Sequence, residues 1–113
     1  LIVVIACFSL VLAGNASASA SIPKVHRLVP PLIFAKVLRV HRCEEGTNWY
    51  AHGLLYFGGL GWLDATWQRY KLPGFPARAD LATPQQQARA MLRFVTVAEH
   101  GWWPDQNGCT GGY

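Results

Sequence analysis

The chain has 113 residues and a mass of 12.5 kDa, 51% hydrophobic and 14% charged, with ten Lys and Arg against six Asp and Glu for a net charge of +4. These values specify one folded domain and exclude a disordered tail, a multidomain enzyme, a Rossmann-sized cofactor fold and, since no period recurs, a repeat array. A pI near 9.3 favours an anionic partner or surface without naming one.

The apolar surplus is concentrated at the start. Leu1 to Ala13 carries no charge and is followed by Gly14 to Ser21, rich in Ala and Ser. An apolar run of 13 residues is short of the roughly 20 that span a bilayer. It matches the apolar region of a secretory signal, with small residues spaced for cleavage after Ala18 or Ala20. Residues 1–20 are therefore expected to be a signal peptide, 21–31 an exposed lead-in and 32–113 the folded domain. An acylation box at Val4-Ile5-Ala6-Cys7 fits less well, because the apolar stretch runs on past it.

Removing the signal removes Cys7 and leaves Cys43 and Cys109, a pair suited to a disulfide in an oxidising compartment. Closing their 66-residue separation is worth about 4 kcal/mol on loop entropy. A metal or nucleophile site at Cys43 and His41 is the competing reading, but no CxxC or HxxxH spacing accompanies it.

The prolines at 23, 30 and 31 mark the lead-in as exposed. From Leu32 the pattern is helical: Leu32, Ile33, Phe34, Val37, Leu38 and His41 recur at helix spacing, and Gly46 stops the run. Thr47 to Gly61 alternates aromatics with glycines, which suits short irregular strands and turns. Leu63 to Tyr70 is a short helix between Gly61 and Pro73-Gly74. In the last helix Thr83 caps, Pro84 takes the first position and Gln86 completes a capping box. Ala88, Met91, Leu92, Val95 and Ala98 form its core stripe, Gln87, Arg89, Arg93 and Thr96 face elsewhere, and Gly101 supplies the stop. The expected fold is α+β, mostly helical, with a glycine-rich β region and one disulfide.

Few residues can carry chemistry. Of the acids, Glu44 ends an apolar helix beside Cys43 and precedes an aromatic, glycine-rich stretch. Apolar surroundings disfavour a charged carboxylate and suit a general acid of glycoside cleavage. Trp49, Tyr50, Tyr56 and Trp62 offer faces for sugar rings. Asp64 reads as a first-turn acid of the short helix, His52 as an exposed loop histidine, Asp80 as a partner of Arg78 or a brace before Thr83, and Asn48 as a brace of the helix end.

The stretch Cys43-Glu44-Glu45-Gly46-Thr47-Asn48-Trp49 resembles the CE(S/T)GGNW motif of the resuscitation-promoting-factor and transglycosylase-like family of secreted actinobacterial cell-wall proteins. Tyr56-Phe57-Gly58-Gly59-Leu60 is similar to its YxGGL segment, Ala65-Thr66-Trp67 to the tryptophan that follows, and Arg78 to Gln87 to its RADxAsxxQQ segment. Gly101-Trp102-Trp103-Pro104 and Cys109 are similar to its closing residues, so the resemblance runs from about Phe34 to Cys109.

This resemblance implies a lysozyme-like fold, a Cys43–Cys109 disulfide and Glu44 as catalytic acid. The implied substrate is the β-1,4 link between N-acetylmuramic acid and N-acetylglucosamine in peptidoglycan. Trp49, Tyr56, Trp62 and Trp67 are the candidate substrate-binding residues. No cofactor, metal, nucleic acid or lasting membrane insertion is expected, and the protein is expected to be a secreted, cell-wall monomer. A single Glu can protonate the leaving oxygen, then accept a proton from water or from the sugar 6-hydroxyl; the latter is lytic transglycosylation. Three positions depart from the pattern: Glu45 replaces a small residue, Gly61 replaces a Gln, and Asp105 to Gly108 lengthen the closing segment. The Gly61 departure keeps open an alternative, a catalytically weak peptidoglycan-binding or signalling module of the same fold. A basic protein acting at anionic surfaces is the third reading, weakened by the scatter of its basic residues.

Overall fold

The computed structural model describes residues 28–104 except Glu45 and Thr47, so the expected signal peptide, Cys109 and the acidic side chain at 45 lie outside the described residues. Its elements are α1 (Pro31–Glu44), β1 (Tyr56–Phe57), β2 (Trp62–Leu63), α2 (Asp64–Tyr70), a 3₁₀ turn (Ala79–Leu81) and α3 (Pro84–Val97). This is the α+β class expected from sequence. Among the described residues no helix is long and apolar enough to cross a membrane.

Pro31 opens α1, where its missing N–H costs no hydrogen bond. The buried face is Val37, Val40 and His41, with Ile33 and Phe34 packed at its edge. Two expectations are corrected here. Leu32 is 81% exposed rather than part of the apolar stripe, and Val29, in the supposedly exposed lead-in, is buried. The Val29 N–H donates to Gln85 Oε1 at 3.1 Å, which docks the approach to α1 against the start of α3.

β1 and β2 form an antiparallel hairpin with Tyr56 opposite Leu63 and Phe57 opposite Trp62. The second strand therefore falls just beyond the glycine-rich segment, and Gly58-Gly59-Leu60-Gly61 is the turn. Leu63 leads directly into α2, so hairpin and helix form one continuous unit. Trp62 and Trp67 stand edge to face at 5.7 Å, and Trp62 also meets Phe94 of α3 at 6.0 Å. Both indoles are fully buried, alongside Leu60, Met91, Val37, Val40 and Val95.

α3 carries the expected capping box: the Gln86 N–H donates to Thr83 Oγ1 at 3.2 Å, and the Thr83 N–H donates to Gln86 Oε1 at 2.9 Å. The helix ends at Val97 rather than running to Gly101. Gly101, at φ +93°, instead turns its N–H back to the Val95 carbonyl at 2.9 Å. A further correction concerns Gln87, which belongs to the buried face and is fully enclosed.

Candidate active site

The position of Glu44 follows from helix geometry. Val37, Val40, His41 and Glu44 lie on one stripe of α1, since residues three, four and seven apart share a face. Glu44 thus continues the buried stripe at the end of the helix and is itself half-buried. Its carboxylate lies over the hairpin turn, where a methyl group on Gly61 would sit 3.4 Å from Glu44 Oε2 and 3.7 Å from its Cβ. Gly61 has φ +67°, a conformation that L side chains rarely adopt. The backbone conformation therefore favours glycine here, while the distances themselves are ordinary contacts.

The turn is held from three sides. His41 donates from Nδ1 to the Gly59 carbonyl at 2.6 Å, which fixes the tautomer with its proton on Nδ1. Trp49 stacks on the His41 ring with centroids 3.9 Å apart and planes 16° from parallel. Gln87 reaches in from α3: its Oε1 accepts the Gly59 N–H at 2.9 Å, and its Nε2 donates to the carbonyls of Trp49 at 2.8 Å and Ala82 at 3.1 Å. A Cβ on Gly59 would lie 2.7 Å from His41 Nδ1 and 2.8 Å from the Trp49 Cα, so only glycine fits there. One amide therefore joins the hairpin turn, the Trp49 loop and the approach to α3 beside Glu44.

The expected sugar contacts separate into two groups. Trp49 and Tyr56 are accessible, Trp49 half-buried on His41 and Tyr56 41% exposed on β1. Trp62 and Trp67 are fully buried, and Trp67 Nε1 donates to the Pro76 carbonyl at 3.0 Å. Their faces are spent on the core, so neither is a sugar contact. Tyr50, also expected from sequence, is 57% exposed. Asp64 is the first residue of α2 and accepts from Gln68 Nε2 at 3.2 Å, the first-turn role expected of it. Asn48 accepts the Tyr50 N–H at 3.0 Å, bracing the loop rather than the helix end. His41, weighed with Cys43 as a metal or nucleophile pair, is instead committed to the turn.

A second polar cluster secures the far side of the hairpin. Arg78 donates from Nε and Nη2 to the two oxygens of Asp80, both at 2.9 Å, and His52 Nδ1 lies 3.0 Å from Asp80 Oδ2. Arg78 holds the Asp80 carboxyl down to about 2 against the opposing effect of burial, with a smaller contribution from His52. A depressed carboxyl stabilises the fold above its unfolded value of 3.8 and loses that contribution as pH falls toward 2. Asp80→Asn should therefore lower the urea midpoint at pH 7, and the gap from the parent should close between pH 4 and about 2. A gap independent of pH would show that the ion pair contributes nothing.

No protein-family model matches the chain. Over 67 residues, 58% of its length, the chain is 36% identical to resuscitation-promoting factor RpfA of Mycobacterium tuberculosis, in strains CDC 1551 / Oshkosh and H37Rv. Over 73 residues, 62% of its length, it is 36% identical to resuscitation-promoting factor RpfB of Mycolicibacterium smegmatis. The matches span 16% of the RpfA sequences and 20% of the RpfB sequence.

Proposed function

We propose, from the 36% identity to resuscitation-promoting factors, that the chain is resuscitation-promoting-factor-like and is a secreted enzyme that cleaves the β-1,4 link between N-acetylmuramic acid and N-acetylglucosamine in peptidoglycan. The observation that carries the reading is the placement of Glu44, on the buried stripe of α1 with its carboxylate over the side-chain-free Gly61. In this reading the domain is lysozyme-like and Glu44 is its catalytic acid.

The chemistry needs one group in two protonation states. As a carboxylic acid Glu44 gives its proton to the glycosidic oxygen, the bond to the sugar C1 breaks, and positive charge develops at that carbon. As a carboxylate Glu44 then removes a proton from the attacking oxygen, supplied by water or by the 6-hydroxyl of the same sugar. The intramolecular hydroxyl has the advantage of effective concentration, so lytic transglycosylation is the favoured course. Trp49 and Tyr56 are the proposed sugar contacts. Neither step calls for a cofactor or a metal.

The test is incubation of the protein, freed of residues 1–20, with purified sacculi. Release of soluble muropeptides is expected; binding without release would replace the enzyme by a peptidoglycan-binding module. Gly61 favours that second reading, since it removes a polar side chain that would lie near the cleft. The proposed Cys43–Cys109 disulfide carries its own expectation. Denatured, unreduced protein lacking residues 1–20 should show no reactive thiol, whereas two would remove the staple and reopen the question of what Cys43 does.

A further inference from the structure

A groove of about 610 Å³ runs between α3 and the segment after α2, where Leu72, Pro73, Leu92 and Val97 line it together with Arg89, Arg93 and Thr96. None of the residues around Glu44 lines it. Val97 is 59% exposed although it belongs to a helix with a well-packed opposite face. Arg93 Nη1 donates to the Lys71 carbonyl at 3.4 Å, which sets its guanidinium across the opening. Among the described residues neither Arg89 nor Arg93 has a carboxylate partner. The polar depression beside it shares Leu72, Pro73 and Arg93 and adds Arg69 and Lys71, and no acidic residue lines either hollow.

We propose that this groove is a second binding site, which takes a short peptide with small apolar side chains and free carboxylates. Charge and size select this occupant. An apolar lining that carries two guanidinium groups matches methyl groups beside a carboxylate, because guanidinium forks pair with carboxylates in two parallel hydrogen bonds. The volume lies within the roughly 300–1,000 Å³ of small-ligand sites, enough for a few residues and too little for a partner helix. Given the peptidoglycan reading above, on which the proposal rests, the peptide stems borne by the glycan strands have this chemistry. The groove would then hold the stem while Glu44 addresses the glycan, and so favour peptide-bearing strands over bare ones.

The experiment titrates the protein with the free stem tetrapeptide L-alanyl-D-isoglutamyl-diaminopimelyl-D-alanine, followed by NMR, with sacculus cleavage assayed in parallel. Saturable binding is expected, with the largest shifts at Leu92 and Val97. At least a tenfold loss of affinity is expected in Arg89→Gln/Arg93→Gln or with the carboxyl-amidated peptide and a smaller loss in Arg89→Lys/Arg93→Lys, which keeps the charge but not the fork, while Glu44→Gln retains the full affinity. Absence of saturable binding, or binding indifferent to the two arginines, would overturn the proposal. So would arginine-dependent binding to phosphatidylglycerol vesicles without binding to the peptide. Sacculus cleavage with no peptide binding would remove the second site alone, and failure of cleavage, of peptide binding and of sacculus binding together would remove the peptidoglycan reading with it. Peptide binding without cleavage would support the groove on a non-catalytic wall-binding domain.

Discussion

Glu44→Gln is expected to lower peptidoglycan cleavage by roughly 10²- to 10⁴-fold, the range for loss of a positioned general acid, and to leave the fold intact. The amide keeps the size and hydrogen-bonding capacity of the carboxyl but cannot surrender a proton to the leaving oxygen. Gly61, close to Glu44 Oε2, carries no side chain to clash with the amide. Unfolding midpoints should match those of the parent, and sacculi should still be bound. The comparison variant is Glu45→Gln, the next acid in the sequence, for which a much smaller effect is expected. Equal loss in both variants would point to a shared electrostatic role rather than to one acid.

The largest effect on stability is expected from Gln87→Leu. Leucine has a similar volume but no polar atoms, so the Gly59 N–H and the Trp49 and Ala82 carbonyls would lose the partners that Gln87 supplies. Each buried polar group stranded in this way costs roughly 1–3 kcal/mol, so a loss on the order of 5 kcal/mol is expected. That is a large part of the roughly 5–15 kcal/mol that holds a domain together. Gln87→Glu should also be costly, because it keeps the acceptor for Gly59 but turns a buried carboxylate toward two carbonyl oxygens. Urea unfolding of both variants reads these losses directly. A Gln87→Leu midpoint within experimental error of the parent would show that the turn is held by His41 and Trp49 without the amide.

The regular elements of this fold were legible in the sequence because their signals are local. The Thr83-Pro84-x-Gln86 cap, the Leu63–Tyr70 segment and the helix ending at Glu44 each depend on neighbours within one or two turns. The site was legible only in part. Glu44 stands out by its place at the end of an apolar helix, and of the two roles the sequence offers Asp80, partner of Arg78 or brace before Thr83, the structure shows the pairing. Gln87 was misread because a polar residue in an amphipathic helix is ordinarily solvent-facing, and its burial depends on three backbone groups that only the tertiary fold assembles. Trp62 and Trp67 were misread for the converse reason. An aromatic beside glycines is equally suited to a sugar platform or to a core, and the choice is made by α2 and α3 packing over the hairpin. The exposure of Leu32 likewise reflects which partners reach α1, which its periodicity alone cannot specify.

The central claim is that one glutamate serves as both acid and base, and the mass of the products tests it most directly. Hydrolysis adds one water to each cleaved link, whereas transfer to the 6-hydroxyl adds none and leaves a 1,6-anhydro end. Sacculi digested with the protein freed of residues 1–20 should yield 1,6-anhydro-muropeptides, and the same digestion with Glu44→Gln should yield none above background. Products with reducing ends only would contradict the single-glutamate course and call for a second carboxylate, and muropeptide release undiminished in Glu44→Gln would remove Glu44 from the chemistry altogether.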